Sequence, residues 1–394
     1  MPDKSDPQAL KQTVQREVQR RQQELQELSL RIHANPEIAF QEQQASAWLS
    51  DYLETNGFQV ERGICELPTA FRAKFGSGSP RIAFLAEYDA LPGMGHACGH
   101  NIIGTASTAA GLAAKSIVES TGGTVIVIGT PAEEAAGGKA YMVDRGAFKD
   151  VDCAMLVHPG NRNAIISHSL ACIELDVRYH GKASHAAAKP EEGINALDAM
   201  VLAFQGIGLL RQQLRESARV HGIITNGGQA VNVIPHLTAA SLLLRAEDDD
   251  YLEVVREKVL ACFRGAAQAT GARLEHRWGE ESRYRAMRTN VTLAETFGRN
   301  YEALGREITS QESSRSMGST DMGNVSKAVP AIHPTIAIAP PHVPIHSDEF
   351  RECAASETGQ QGLIDSATAL AMTAVDLLTD TSILSAARRE FEQA

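Results

Sequence analysis

Apolar positions along this chain keep two rhythms, one near 3.6 and one of short continuous runs. Residues 5 to 34 set Leu10, Val14, Val18, Leu25, Leu28 and Leu30 in a charged, glutamine-rich background, the spacing of one amphipathic helix. HANPEIAF breaks it at Pro36, and QEQQASAWLSDYLETNG predicts a second helix ending at Asn56-Gly57. Strands and helices then alternate. RIAFLAEY predicts a strand, NIIGTASTAAGLAAKSIVES a helix, TVIVIGT a strand, GGKAYMVDRGAF a helix and DCAMLVH a third strand. That alternation implies an α/β layer, a mostly parallel sheet with helices on both faces.

The rhythm changes after residue 170. LACIELDVRYHG, ARVHGIITNGG, HLTAASLLLRAE and ARLEHRWGEE predict strands, with helices over GINALDAMVLAFQGIGLLRQQL and DYLEVVREKVLACFRGAAQATG. The order β-α-β-β-α-β is that of a ferredoxin-like α+β unit. It spans residues 172–285 and reads as an insertion, which leaves 1–171 and 286–394 as one discontinuous domain. The second part of that domain carries a helix in NVTLAETFGRNYEALG, a strand in PTIAIAP and a helix in TGQQGLIDSATALAMTAVDLLTD.

Composition narrows the function classes. A chain of 394 residues holds two to three domains at roughly 150 residues each. With 43% hydrophobic and 22% charged residues it has ample material for large cores. A formal charge of −11 without a basic cluster argues against a nucleic-acid partner. The opening MPDKSDPQALKQ lacks the apolar centre of a secretory signal, and no uninterrupted apolar run reaches the roughly 20 residues of a membrane span. The expectation is a cytoplasmic protein with no membrane partner. Six scattered cysteines suit reduced, mostly buried thiols. Cys98 is set apart by its neighbours.

Those neighbours are GHACGHN, Gly95 to Asn101, where two histidines flank a cysteine. The loop alone allows a metal cradle, a cysteine nucleophile with a base beside it, or a chance arrangement. Open parallel sheets place ligand sites beyond the carboxyl ends of their strands. Here RIAFLAEY runs into Asp89, Cys98 and His100, TVIVIGTP into Glu133-Glu134, DCAMLV into His158, and PTIAIAPPHVPI into His346. Thiolate, imidazole and carboxylate together suit a divalent transition metal better than magnesium or calcium. Cys98, His100, Glu134, His158 and His346 exceed the three protein ligands of a single catalytic zinc, so a metal pair with a shared water fits better. Glu134 would then coordinate, and Glu133 would take the proton from the water. Asp89 would orient a ligand imidazole. The bland alternatives are two solvated acids opening a helix and a turn aspartate.

These motifs resemble the family of dinuclear metallopeptidases and amidohydrolases that includes aminoacylase, carboxypeptidase G and succinyl-diaminopimelate desuccinylase. AEYDALPGMGHACGHN, GTPAEEAAGGK, HGIITNGGQAVNVIP and GSTDMGNVS are most similar to its cysteine-containing branch, near β-alanyl-lysine dipeptidase and aminobenzoyl-glutamate hydrolase. The likeness runs from HANPEIAF to IHSDEF. It implies metal ligation by Cys98, His100, Glu134, His158 and His346, with Glu133 as general base and Asp89 as orienting carboxylate. It also implies that His185, in GKASHAAAKPEEG, reaches into a partner subunit's active site to stabilise the oxyanion, with Asn232 as companion donor. A homodimer formed through the inserted domain, acting as lid, comes with that role. Many relatives have His-x-Asp where this chain has Glu87-Tyr88-Asp89, so one familiar histidine is missing.

Other residues carry weaker expectations. Gly318 and Ser319 could offer backbone N–H groups to a substrate carboxylate, and Arg245 is the better cation for it, with a structural ion pair as its alternative. His96 reads as loop support; His221, His333 and His342 read as structural or surface residues. The expected function is metal-dependent hydrolysis of the amide bond in N-acyl amino acids or small β-alanyl-type or aminoacyl dipeptides. Two divalent ions serve it: zinc or manganese, with cobalt also compatible. Its rivals are a cysteine hydrolase using Cys98 and a metal-binding relative without turnover.

Overall fold

The computed structural model describes residues 6–309 and 318–393; the first five residues of the polar opening lie outside them. Its strands are β1 (Gln59–Arg62), β2 (Phe71–Ser77), β3 (Arg81–Ala86), β4 (Gly123–Gly129), β5 (Cys153–Met155) and β6 (His158–Gly160). They continue as β7 (Ala171–His180), β8 (Arg219–Asn226), β9 (Leu237–Ala246), β10 (Arg273–Trp278), β11 (Ala331–Ile332) and β12 (Thr335–Ala337). The chain divides into two compact units, one of 1–168, 287–317 and 324–394, the other of Ser169–Ala286 with Gly318–Gly323.

The first unit is built on a six-stranded sheet in the order β1-β2-β4-β3-β5-β11. β3 pairs parallel with β4 and β5, and β5 with β11, whereas β1–β2 and β2–β4 are antiparallel. The sheet is therefore mixed rather than mostly parallel. The reason lies in the sequences of the missed strands: QVER is short and charged, and FRAKFGS is buried only in its first half. Neither has the continuous apolar run of a strand covered on both faces, as β3 and β4 have. PTIAIAP supplies β12, which pairs with β6 in a separate two-stranded sheet. The N-terminal helix is two, Pro7–Arg20 and Gln22–Ala34, broken at Arg21. Arg21 leaves helical geometry while its guanidinium reaches Glu17 at 2.7 Å and Asn56 at 2.7 Å.

Helix His100–Thr121 packs on β3 and β4 with nearly every residue of its first four turns buried. Its small residues permit this approach: a Cβ at Gly111 would come within 2.3 Å of Val127 Cγ2. Helix Glu357–Thr379 packs on the same helix. By length and composition alone it could cross a membrane, but most of its apolar stretch is buried inside the unit, as a core helix requires.

In the second unit β7, β8, β9 and β10 form one antiparallel sheet in the order β10-β7-β9-β8. β9 alternates strictly between buried and half-buried positions, the pattern of a sheet with one covered face. Helices Ala196–Leu210 and Asp249–Thr270 supply the cover, with Ala199, Ala203, Leu252 and Phe263 packed among Ile173, Leu175, Leu242 and Leu244. Asn195 and Asp248 cap these helices through their side chains.

β3 lies in the interior of the first unit's sheet, between β4 and β5. Phe84, fully buried in that strand, should cost about 3–5 kcal/mol when truncated to alanine, read from urea unfolding followed by far-ultraviolet circular dichroism.

Candidate metal centre

The ends of β3 and β4, the start of β6 and two loops deliver the candidate residues of the first unit. Glu87 and Asp89 follow β3 directly, Glu133 and Glu134 lie beyond β4, and His158 opens β6. His100 starts a helix, and Gly99 before it holds φ at 79°. A Cβ there would meet Pro159 Cγ at 2.9 Å, so glycine is required by conformation and by space. His346 itself has φ of 66°, a costly conformation for this residue type and one that marks functional sites. Its backbone N–H donates to Ala97 O at 3.0 Å, which ties its loop to the cysteine loop.

Folding brings these side chains together. Three donor groups arise among the described residues, each within 4.8 Å: Cys98 with His100 and His158, Cys98 with Glu134 and His346, and His100 with Glu133 and Glu134. The groups overlap, since Cys98, His100 and Glu134 each belong to two of them. Asp89 organises the cluster from behind. One of its oxygens accepts from His100 Nδ1 at 3.0 Å, and the other from the backbone N–H of Glu134 at 2.9 Å. Nε2 of His100 is left with its lone pair directed inward, where it makes no hydrogen bond. His158 is arranged likewise: Nδ1–H donates to Pro159 O at 2.6 Å, and Nε2 faces Cys98 Sγ at 3.4 Å. A fixed tautomer with the second nitrogen free is what a metal-binding imidazole needs.

Burial and the nearby Glu134 carboxylate push the Cys98 thiol well above its ordinary range. A free thiolate nucleophile needs the opposite, whereas a coordinated cation would remove the thiol proton outright. Burial raises Glu134, but His346 and His100 outweigh it and lower the carboxyl to about 2. The set of one thiol, three imidazoles and a carboxylate, all but His346 buried or half-buried, fits a divalent transition metal.

The second unit holds the remaining candidates. His185 pairs with Val233 in an isolated bridge, Ala186 N–H donates to Asn232 O at 3.0 Å, and both His185 and Asn232 are exposed. Arg245 donates from Nη1 to Ser319 Oγ at 3.1 Å, while its buried Nε makes no hydrogen bond. Gly318 accepts from Leu170 N–H at 2.9 Å. His96 is buried with its ring 6.1 Å from that of His33. His333 is buried too, its ring 5.3 Å from that of His158; His221 and His342 are exposed.

Sequence reasoning passed over Glu42. This fully buried carboxylate accepts from Phe40 N–H at 2.9 Å, Ala132 N–H at 2.9 Å and Thr69 Oγ1 at 3.0 Å. Phe40 and Ala132 both have positive φ, so Glu42 clamps a strained turn directly before Glu133. Burial, with the Asp89 charge behind it, pushes its carboxyl up to about 7. No local pattern in NPEIAFQE separates this glutamate from a solvated one.

Residues 83–359 match the model of peptidase family M20/M25/M40. The chain belongs to that family. Among relatives of this M20-family chain is a Xaa-Arg dipeptidase of Mus musculus, 40% identical over 381 residues that cover 93% of this chain and 88% of the relative. One of the subunits of the p-aminobenzoyl-glutamate hydrolase of Escherichia coli K12 is 31% identical over 438 residues, covering 92% and 90%. A solved neighbour, the Bacillus subtilis YXEP protein described as a dinuclear metal-binding peptidase of family M20, superposes with a TM-score of 0.68 at 20% identity, covering 91% and 98%. The family and the donor cluster together make this chain a metal-dependent amide hydrolase.

Glu42→Ala strands three donors, and each buried one costs about 1–3 kcal/mol. The variant should therefore lose stability by thermal denaturation and fall at least tenfold in kcat. Glu42→Gln retains an oxygen for Phe40 and Ala132 and should keep most of both; equal losses in the two variants would rule out the clamp.

Proposed function

We propose that this chain is a dinuclear aminoacylase or dipeptidase whose ions are held by Cys98, His100, Glu134, His158 and His346. The single observation that carries the reading is the overlap of three donor groups on shared Cys98, His100 and Glu134. Overlapping groups accommodate two adjacent ions, where one ion would need only one group. Zinc suits the thiolate, with manganese and cobalt also compatible. When bound, the ions polarise the amide carbonyl and acidify the attacking water. Glu133, buried within the His100–Glu134 group, takes the proton of that water as it attacks. It then returns the proton to the nitrogen of the leaving amine, so one carboxylate serves as base and acid in turn. Asp89 keeps His100 in its tautomer and holds the Glu134 loop.

The second unit has the strand order of a ferredoxin-like fold, and we assign it the roles of lid and dimer interface. In support, β8 lies at the edge of its sheet with Ile223 and Ile224 exposed, and Leu209 is exposed on the neighbouring helix. Such apolar exposure on an edge strand suits pairing with a second copy. His185 and Asn232 would donate to the oxyanion of the partner subunit's substrate. Losing one such donor costs about 100- to 1,000-fold in rate. Arg245 and Ser319, with the backbone of Gly318, would take a substrate carboxylate, which the unsatisfied Nε of Arg245 supports. The substrate is then a small N-acyl amino acid or dipeptide with a free carboxylate, of the β-alanyl or aminoacyl type. A small amide substrate as partner and a cytoplasmic site of action belong to the same proposal.

The test is hydrolysis by metal-stripped protein before and after reloading with zinc, manganese or cobalt. The panel holds β-alanyl-lysine, a dipeptide ending in arginine, aminobenzoyl-glutamate, hippurate and an N-acetyl amino acid. Metal-restored release of amine from one member is expected; turnover indifferent to metal would bring forward Cys98 as nucleophile. Glu133→Gln should abolish turnover with metal content unchanged. Mixed dimers of Glu133→Gln and His185→Ala subunits should recover activity that neither variant has alone, and no recovery would refute action across the dimer.

A further inference from the structure

A buried ion pair stands beside the cluster and belongs to none of its three donor groups. Glu87, directly after β3, and Lys139, in helix Gly138–Asp144, are both fully buried, with Lys139 Nζ 2.7 Å from Glu87 Oε1. Burying two opposite charges is seldom a gain over apolar side chains of similar volume. The pair therefore answers a local demand. Its second oxygen indicates what that demand is. Glu87 Oε2 is buried, makes no hydrogen bond, and faces His100 Nε2 at 3.6 Å.

On its other side His100 Nε2 faces Glu134 Oε1 at 3.7 Å. Both distances exceed those of a hydrogen bond. Nδ1–H of His100 is already given to Asp89, so a neutral His100 sets its second lone pair between two carboxylate oxygens that make no hydrogen bond of their own. Two ligands each about 2.1 Å from a tetrahedral ion stand about 3.4 Å apart, close to the spacing found. A cation between them would turn the repulsion into attraction.

We propose that Glu87 is a further ligand of the dinuclear centre, with Lys139 as the fixed counter-charge that lets a second carboxylate enter it. This rests on the metal-hydrolase reading above. With Glu87 the donors become Cys98, His100, Glu134, His158, His346 and Glu87, six side chains or three for each of two ions. Three protein ligands with an open position is the usual shell of a catalytic zinc. Lys139 cancels the added charge, so the sixth donor leaves the net charge of the shell unchanged. Lys139 acts through Glu87 and is a positioning residue.

Zinc alone, titrated into stripped protein against a chromophoric chelator, tests this without recourse to activity. The chains compared are wild type, Glu87→Gln, the apolar double variant Glu87→Leu with Lys139→Met, and Glu87→His with Lys139→Met. The thermal midpoint of each stripped protein reports folding. Wild type should bind two ions. The apolar double variant should fold as well as wild type and bind one of the ions at least about tenfold more weakly, as should Glu87→Gln. The histidine variant, which restores a donor without a charge, should recover the second ion. Two ions bound by the apolar double variant with wild-type affinity would reduce the pair to packing and overturn the proposal. A wild type that binds neither zinc nor, in the same titration, manganese or cobalt would instead refute the metal-hydrolase reading and the ligand role with it.

Discussion

Everything at this centre depends on one carboxylate used twice. Asp89 accepts the imidazole proton of His100 through one oxygen and the backbone N–H of Glu134 through the other. The two bonds fasten the loop after β3, the start of helix His100–Thr121 and the loop after β4 into one body. They also decide which His100 nitrogen faces the cluster. Without that constraint, the His100 ring would be free to turn Nε2 away from the carboxylate oxygens of Glu87 and Glu134 that it faces. Preorganisation of this kind moves the cost of gathering donors from the binding step to the folding step.

The sheet makes the constraint possible. β3, β4 and β5 run parallel in the middle of it, so their carboxyl ends open on one side and their loops must share it. Helix His100–Thr121 then lies against β3 and β4 closely enough to hold Cys98 and His100 at that edge. Glu42 works from the far side of the same loops, through the turn at Ala132. The result is a polar cluster seated on an apolar floor, where each buried polar group either has a partner or points inward.

Much of this was legible in the sequence, and the exceptions follow a rule. The apolar strands RIAFLA and GTVIVIG and the donors at their ends could be read because burial on both faces leaves a continuous signal. So could the alternation and helix caps of the second unit. The edge strand QVER and its neighbour FRAKFGS were illegible because both are partly solvated and look like loop. Arg21 ends a helix without proline or glycine, through contacts with Asn56, 35 positions away, that no local window contains. Glu42 and Lys139 were missed for a related reason. Glutamate and lysine are common surface residues, and their burial is set by distant neighbours, such as Thr69 and Ala132 for the one and Glu87 for the other. Histidine and cysteine beside glycine advertise themselves; a buried charge does not.

His346 differs from the other donors in being half open to solvent, its side chain 49% exposed. It also holds a backbone conformation of positive φ. The cluster thus has four buried or half-buried donors and one open to solvent. Water can replace that imidazole most readily, so ion exchange is expected to start there, while the buried donors set how tightly an ion is held.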